Sequence, residues 1–324
     1  MVALLLRADL STESRLDDVY DRNAAEPGGL IVRAFSAVLR RGAFYRRTMA
    51  QSAVIGPWSD RRYAARLARH ADRVPTLAAP QREIVSEMRE RGVAVRDIDP
   101  PADVLACADR LTDTLRHRNT GAPCAKATPA ELAVDPTLFL FGLTPDMLDV
   151  AECHLGLPAR YLGLEVKREL VDSAVGGRHE TVRRWHLDHE DRRMFKVIVY
   201  LSDVDETAGP FGYVERSSTE RIRRLAKHHH DAVSDDDMST VVPREDWKRA
   251  TGPRLTAVYA DTGQVFHRVF PPTATERYSV TFAYSSRSPY YTYSRLMLPR
   301  RALRQLRSRL TARQWNALGI KRIP

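Results

Sequence analysis

The pattern of apolar residues changes near residue 155 of the chain. Before this point apolar positions recur at intervals of three and four residues, as in the stretch 81–91, and this period predicts amphipathic helices. Gly92 is a natural end for that helix, and the apolar run 93–95 predicts a first strand. We therefore expect residues 1–154 to form a mostly helical N-terminal layer.

Short apolar runs separated by turn residues follow from about residue 155 to residue 294. They are rich in β-branched and aromatic residues and too short for helices, which predicts strands of an antiparallel sandwich or barrel. The runs are 162–170, 195–201, 211–214, 255–259, 265–269 and 278–284. We expect a single domain over 1–324, mainly β with a helical layer (α+β). Its charged insert, 217–254, is predicted to form helices and loops over the barrel mouth.

Basic residues outnumber acidic ones, with 51 Lys and Arg against 41 Asp and Glu and a formal net charge of +10. This balance favours acidic partners without choosing among them. The tail 295–324 contains nine basic residues and no acidic one. Three interpretations stay open for this predicted basic helical tail: a helix packed on the barrel with a solvated basic face, peripheral contact with an anionic membrane, or contact with an acidic substrate or partner. No motif for specific nucleic-acid binding accompanies the charge.

Cysteine content and hydropathy bound the location of the protein. The three cysteines, Cys107, Cys124 and Cys153, are too few and too scattered for a disulfide framework. The first residues resemble no signal peptide, and no apolar stretch reaches the roughly 18 residues of a membrane-spanning helix. We expect a cytoplasmic, soluble protein.

Three residues in strand-like context point to a metal. His186 and Asp188 are two positions apart, and side chains at that spacing project from the same face of a strand. His267 supplies a second imidazole from a later predicted strand. Two His and one carboxylate on one face, with open coordination positions, form the facial triad typical of non-haem Fe(II) oxygenases.

A second group of residues is suited to an organic carboxylate. Arg277 follows His267 along the chain and is separated from Ser279 by one residue. A guanidinium binds a carboxylate through two charge-assisted hydrogen bonds, and a hydroxyl adds a third. Lys196 is a further candidate for cofactor contact, with support of its strand as the alternative. Arg168 and Lys167 are weaker candidates of the same kind.

These motifs, in this order, resemble the phytanoyl-CoA dioxygenase-like branch of the Fe(II)/2-oxoglutarate oxygenases. The resemblance spans about 155–290 and includes the segments 196–204 and 209–214. It implies a double-stranded β-helix (jelly roll) core, with Fe(II) held by the triad and 2-oxoglutarate by Arg277 and Ser279. The implied reaction consumes dioxygen, releases succinate and CO2, and oxidises an unactivated C–H bond of a small, possibly anionic, substrate. The carboxylate at Asp188 favours a hydroxylase over a halogenase, since related halogenases have Gly or Ala there.

Several other residues carry weaker expectations. His189 and Glu190 either touch substrate or form a solvated rim, while Asp261 is expected to support a metal ligand from outside the site. His154 is predicted to interact with the carbonyls at the end of its helix, and His228–His230 to lie in a surface loop. Two other functions stay open: a cupin-like metal enzyme that does not use 2-oxoglutarate, and a non-catalytic basic module that binds membrane or nucleic acid.

Overall fold

The computed structural model describes residues 54–118, 123–171, 183–226, 232–290, 292 and 296–320. Helices dominate the described chain before residue 156 and recur around the later strands. In chain order they are α1 (Gly56–His70), α2 (Ala79–Glu90), α3 (Ala102–Arg116), α4 (Pro129–Val134), α5 (Thr137–Phe141), α6 (Pro145–Leu155), α7 (Thr219–Ala226), α8 (Asp235–Ser239), α9 (Arg300–Leu306) and α10 (Ala312–Ala317). Short 3-10 turns lie at Ala71–Arg73, Arg216–Ser218, Arg244–Asp246 and Arg307–Arg309.

The strands form two antiparallel sheets. They are β1 (Val93–Asp97), β2 (Cys124–Lys126), β3 (Ala159–Glu169), β4 (Trp185–His186), β5 (Phe195–Tyr200), β6 (Phe211–Tyr213), β7 (Ala232–Val233), β8 (Lys248–Ala250), β9 (Thr256–Ala260), β10 (His267–Val269) and β11 (Arg277–Ser286). The first sheet has the order β1-β9-β5-β11-β3-β2, and the second has the order β7-β4-β10-β6-β8.

The chain passes repeatedly between these sheets. Strands β3, β5, β9 and β11 lie in the first sheet, and β4, β6, β8 and β10, which are interleaved with them along the sequence, lie in the second. Two four-stranded sheets connected in this way form a double-stranded β-helix, so the predicted jelly-roll core is confirmed. Strands β1 and β2 extend the two edges of the first sheet, and β7 extends the second.

Strand β11 shows how the sequence distinguishes the two faces of the first sheet. Tyr278, Val280, Phe282 and Tyr284 belong to the large apolar core that the sheet shares with the helices. The alternate positions, beginning with Arg277 and Ser279, therefore face the space between the two sheets, because side chains alternate along a strand. One face packs the helical layer, and the other leaves polar groups inside the jelly roll.

The helical layer packs on the outer face of the first sheet. Its buried apolar residues, among them Met88, Leu115 and Leu148, share one core with that face. The predicted helix before Gly92 is confirmed as α2, and Gly92 adopts the left-handed conformation with a φ of 91°. The first 53 residues of the predicted layer lie outside the described residues.

The predictions for the insert and the tail have different outcomes. The insert 217–254 contains α7 and α8 as expected, but it also contains β7 and β8, so the prediction of helices and loops alone is wrong. Both strands are only two or three residues long, below the length at which alternation is visible in a sequence.

The tail packs its apolar side against the rest of the fold. Leu303, Leu306 and Leu310 are buried in the large core, and the adjacent Arg301 and Arg304 are exposed. Packing with an exposed basic face is therefore confirmed, while contact with an anionic membrane stays a prediction. Among the described helices, none is both long enough and apolar enough to cross a bilayer.

Candidate metal centre

The predicted triad comes together where β4 and β10 pair. His186 and His267 are directly opposite each other in the antiparallel register of these strands. Asp188 follows β4, and its backbone N–H donates to the carbonyl of Thr262 at 2.8 Å, which ties the two connecting segments together. One ligand atom from each of the three residues lies within 4.8 Å of the other two. Among the described ranges, this is the one group of this kind that could hold a metal ion.

The two imidazoles are oriented for metal binding. Nδ1 of His186 lies 2.9 Å from the carbonyl of Arg184, and Nδ1 of His267 lies 3.1 Å from the carbonyl of Val265. A carbonyl can only accept, so each Nδ1 carries the proton and each Nε2 offers a lone pair. Burial lowers the pKa of His186, and burial together with the charge of His186 lowers the pKa of His267 to about 3. Both rings are therefore neutral near pH 7, as ligands must be.

Asp188 supplies the negative charge of the triad. Its Oδ1 lies 3.9 Å from Nε2 of His267, and its Oδ2 lies 2.6 Å from the ammonium nitrogen of Lys196. Burial alone would raise the pKa of Asp188, but the charge of the Lys196 ammonium group and its hydrogen bond hold that pKa well below its usual range. Asp188 is thus ionised, and one of its oxygens faces His267 while the other faces Lys196.

Lys196 is a predicted candidate for cofactor contact, and in the structure its ammonium group pairs with Asp188. It projects from the inner face of β5, opposite Ala283 of β11 and Ala260 of β9. Sequence spacing cannot reveal this ion pair, because the two residues lie on different structural elements. A direct contact between Lys196 and a cofactor stays a prediction.

Arg277 and Ser279 project side by side from the inner face of β11. Arg277 is 2% exposed; one terminal nitrogen donates to the carbonyl of Gly209, and the other lies 3.7 Å from a carboxylate oxygen of Glu169. Its Nε and the hydroxyl of Ser279 are buried and have no hydrogen-bond partner among the described residues. Two orphaned polar groups on one strand face fit an acceptor such as a carboxylate.

Strand β6 connects this pair to the triad. Gly209, which holds Arg277, lies just before the strand, and the ring of Phe211 stacks on His267 with a centroid distance of 5.5 Å. The hydroxyl of Tyr200 donates to the carbonyl of Ala250 at 2.6 Å and accepts from the backbone N–H of Phe211 at 3.2 Å. This bonding fixes the start of β6 against β5, so the triad and the arginine share one interior.

The two weaker candidates on β3 lie on opposite faces. Lys167 is opposite Ser279 on the inner face and forms an ion pair of 2.9 Å with Glu169. Arg168 points to the other side, where Glu276 pairs with its guanidinium at 2.7 Å. Arg168 is therefore directed away from the candidate site. Glu169, which sequence reasoning missed, faces Arg277 directly in the register of the sheet.

Glu190 is buried, so the expectation of a solvated rim is wrong for this residue. Its carboxylate accepts from the backbone N–H of His189 at 2.8 Å, while His189 is exposed. Burial and the charge of Asp188 raise the pKa of Glu190 to about 7. The stretch 227–231, which includes His228–His230, lies outside the described residues.

His154 and Asp261 form a fully buried pair behind the site. Nε2 of His154 lies 2.9 Å from Oδ2 of Asp261, so the prediction that this histidine interacts with helix-end carbonyls is wrong. Oδ1 of Asp261 accepts from the backbone N–H of Met194 at 3.1 Å. Asp261 precedes Thr262, whose carbonyl holds Asp188. The pair therefore braces the metal-site backbone without touching the triad.

Comparisons with known proteins give structural resemblances only. No family model matches the chain, and no curated protein is similar to it in sequence. HygX from Streptomyces hygroscopicus, solved with nickel and 2-oxoglutarate, is 16% identical, with coverage of 65% of this chain and 88% of HygX and a TM-score of 0.47. EctD from S. alaskensis with bound Fe is 14% identical, with coverage of 68% and 83% and a TM-score of 0.46.

The carbocyclase SnoK from nogalamycin biosynthesis, described as non-heme and alpha ketoglutarate dependent, is also similar. It is 18% identical, with coverage of 73% of this chain and 92% of SnoK and a TM-score of 0.45. At TM-scores below 0.5, these likenesses carry no argument for the function of this chain. Membership of the phytanoyl-CoA dioxygenase-like branch stays a prediction.

Proposed function

We propose that this chain is an Fe(II)- and 2-oxoglutarate-dependent dioxygenase that oxidises a C–H bond of a small organic substrate. The observation that carries the proposal is the convergence of His186, Asp188 and His267, with both Nε2 atoms left available by their Nδ1 contacts. Two imidazoles and one carboxylate are the donor set that Fe(II) takes in this class of enzyme.

The orphaned donors on β11 support the choice of cofactor. The distal carboxylate of 2-oxoglutarate would accept from Nε of Arg277 and from the hydroxyl of Ser279, which are buried without partners among the described residues. When bound, iron would activate dioxygen, which is the oxidant: two of its four oxidising equivalents would convert 2-oxoglutarate to succinate and CO2, and the other two would oxidise the C–H bond of the substrate. The chain's part is to hold the ligands neutral or ionised as required, to orient the cofactor and to exclude water.

The triad favours hydroxylation, or another oxidation of the substrate, over halogenation. Asp188 occupies the position at which a halide would need an open coordination site, and Lys196 holds its second oxygen at 2.6 Å. Its carboxylate is ionised and fixed, so it is suited to remain a ligand. An Asp188→Gly variant is expected to lose hydroxylation, as judged by succinate release coupled to substrate oxidation.

The proposal is tested by the visible charge-transfer band of an Fe(II)/2-oxoglutarate chelate. Fe(II) and then 2-oxoglutarate are added to the protein without oxygen, with Arg277→Ala and His186→Ala variants in parallel. We expect a band that needs both additions, that weakens in Arg277→Ala and that is absent in His186→Ala. Equal bands in all three proteins would contradict the proposal.

A metal enzyme of the cupin kind that does not use 2-oxoglutarate is the second candidate. It is favoured by the partners that Arg277 already has, the carbonyl of Gly209 and the nearby Glu169. Metal bound in the unmodified chain with no band on addition of 2-oxoglutarate would select this alternative.

A further inference from the structure

A second arginine lies close in sequence to the candidate metal centre. Arg183 lies two residues before β4 and three before His186. Both of its terminal guanidinium nitrogens are buried and have no hydrogen-bond partner among the described residues. A buried guanidinium without an acceptor is costly, because the charge has left water and gained nothing in exchange. Such a group is expected to meet an anion in the working protein.

Two carboxylates on the inner face of the first sheet are already paired with lysines. Lys126 pairs with Glu165 at 2.6 Å, and Lys167 pairs with Glu169 at 2.9 Å. Glu169 is also the nearest carboxylate to Arg277, at 3.7 Å. Burial would raise the pKa of Glu169, but Lys167, Arg277 and also Arg183 bring it down to about 2, so Arg183 lies within electrostatic reach of this group.

The two carboxylates therefore cannot neutralise all four cations of this region. Glu165 and Glu169 each have a lysine at hydrogen-bonding distance, and no carboxylate of the described residues hydrogen-bonds to Nε of Arg277 or to the terminal nitrogens of Arg183. The distal carboxylate of 2-oxoglutarate would satisfy Arg277 together with Ser279. Within the described part of the chain, Arg183 then remains as a cation whose buried terminal nitrogens could pair with a second anion.

We propose that Arg183 is an anion receptor for the organic substrate, which carries a carboxylate or phosphate group that pairs with this guanidinium. This inference rests on the proposed function. If 2-oxoglutarate supplies the anion that pairs with Arg277, the anion that pairs with Arg183 must come from another molecule, which we take to be the substrate. A planar guanidinium favours such oxyanions because it donates two parallel hydrogen bonds.

Inorganic phosphate and acetate are suitable probes of this site. The chain is loaded with Ni(II) and 2-oxoglutarate, so that no turnover occurs, and each probe is titrated by calorimetry and by thermal unfolding. We expect saturable binding of at least one probe by the unmodified chain and at least tenfold weaker binding by Arg183→Leu. Arg301→Leu removes the same charge from the exposed face of α9 and is expected to bind as the unmodified chain does.

Folding of the variant is a separate measurement. Because Arg183→Leu removes an unpaired buried cation, its unfolding midpoint in anion-free buffer is expected to be no lower than that of the unmodified chain. Arg183→Gln keeps similar length and hydrogen-bonding capacity without the charge, and it provides the same comparison if the leucine variant does not fold. Unchanged probe affinity in the folded variant, or no saturable binding by the unmodified chain, would overturn the inference.

Two further outcomes separate this inference from the proposed function. The Fe(II)/2-oxoglutarate band is expected to be unchanged in Arg183→Leu, since Arg277, Ser279 and the triad are intact. A band missing from every protein would refute the proposed function, and the phosphate titration of the metal-free chain would still decide on Arg183. If 2-oxoglutarate abolishes probe binding in the unmodified chain, Arg183 belongs to the cofactor's receptor and the inference is wrong.

Discussion

The ion pair between Lys196 and Asp188 makes a distinctive prediction about metal binding. Lys196→Met keeps the length of the side chain and removes its ammonium group, which lies 2.6 Å from Asp188. Side-chain exposure is 21% for Lys196 and 11% for Asp188, so water replaces little of the lost charge. In the metal-free variant Asp188 is left as a buried carboxylate without its cation. Breaking such a pair costs about 3 to 5 kcal/mol of the free energy of unfolding.

A divalent ion changes this balance. When metal occupies the triad, its charge compensates Asp188 and most of the penalty disappears. We therefore expect Lys196→Met to destabilise the metal-free protein more than the Ni(II)-loaded protein, by about 2 kcal/mol or more. By linkage, the variant would then bind Ni(II) roughly 30-fold more tightly than the unmodified chain.

Denaturant unfolding with and without Ni(II), together with calorimetric titration, measures both quantities. Lys126→Met is the matched control, because its ion pair with Glu165 has the same 2.6 Å separation but Lys126 is 43% exposed. That control is expected to lose no more than about 1 kcal/mol, equally with and without metal. An equal loss in the two metal states of Lys196→Met, or weaker Ni(II) binding, would refute the reasoning.

Three further predictions concern the same interior. Ser279→Ala is expected to weaken 2-oxoglutarate binding about tenfold and Arg277→Leu about 100-fold or more, because charged hydrogen bonds are worth more than neutral ones; titration of the charge-transfer band measures both. Gly209→Ala should lower the free energy of unfolding by about 1 to 2 kcal/mol and weaken cofactor binding, since Gly209 has a φ of 71° and a Cβ there would lie 2.5 Å from the carbonyl of Phe270; unaltered unfolding and binding would contradict this. Glu190→Gln should make the free energy of unfolding rise with pH between about 4.5 and 6.5, by up to about 1.4 kcal/mol per unit. Folding lowers the pKa of His267 and raises the pKa of Glu190. In this pH range the folded protein therefore loses a proton at His267 and keeps one at Glu190, and the two effects cancel. Without Glu190 the pH dependence caused by His267 appears in the free energy of unfolding, which denaturant unfolding measures.

The parts of the molecule that could be predicted are those that a short stretch of sequence determines, such as the faces of a strand and the residues of the triad. The alternation along β11 distinguishes a face for the helical layer from a polar face inside the jelly roll. His186 and Asp188 were found together because a strand aligns alternate residues. His267 was found because a histidine recurs in a later run of the same kind. The strands β7 and β8 were missed because two or three residues do not establish a period.

Electrostatic partnership was not predictable in the same way, because it depends on which elements the fold brings together. Lys196 meets Asp188, and His154 meets Asp261, across separations along the chain that no spacing rule covers. Burial of Glu190 likewise follows from tertiary packing and not from its charged neighbours in the sequence.

The net charge of +10 illustrates the same limit for function. It suggested acidic partners, but several of the arginines behind it are neutralised within the fold, as Arg168 is by Glu276 and Arg313 by Asp149. Exposed arginines such as Arg301 are solvated and need no partner. Among the described residues, Arg183 has both terminal guanidinium nitrogens buried without a hydrogen-bond partner, and it is the cation for which we propose an anion. Composition indicates only that acidic partners are favoured. The structure points to one residue, Arg183, at which the proposed negative charge of the substrate can be tested.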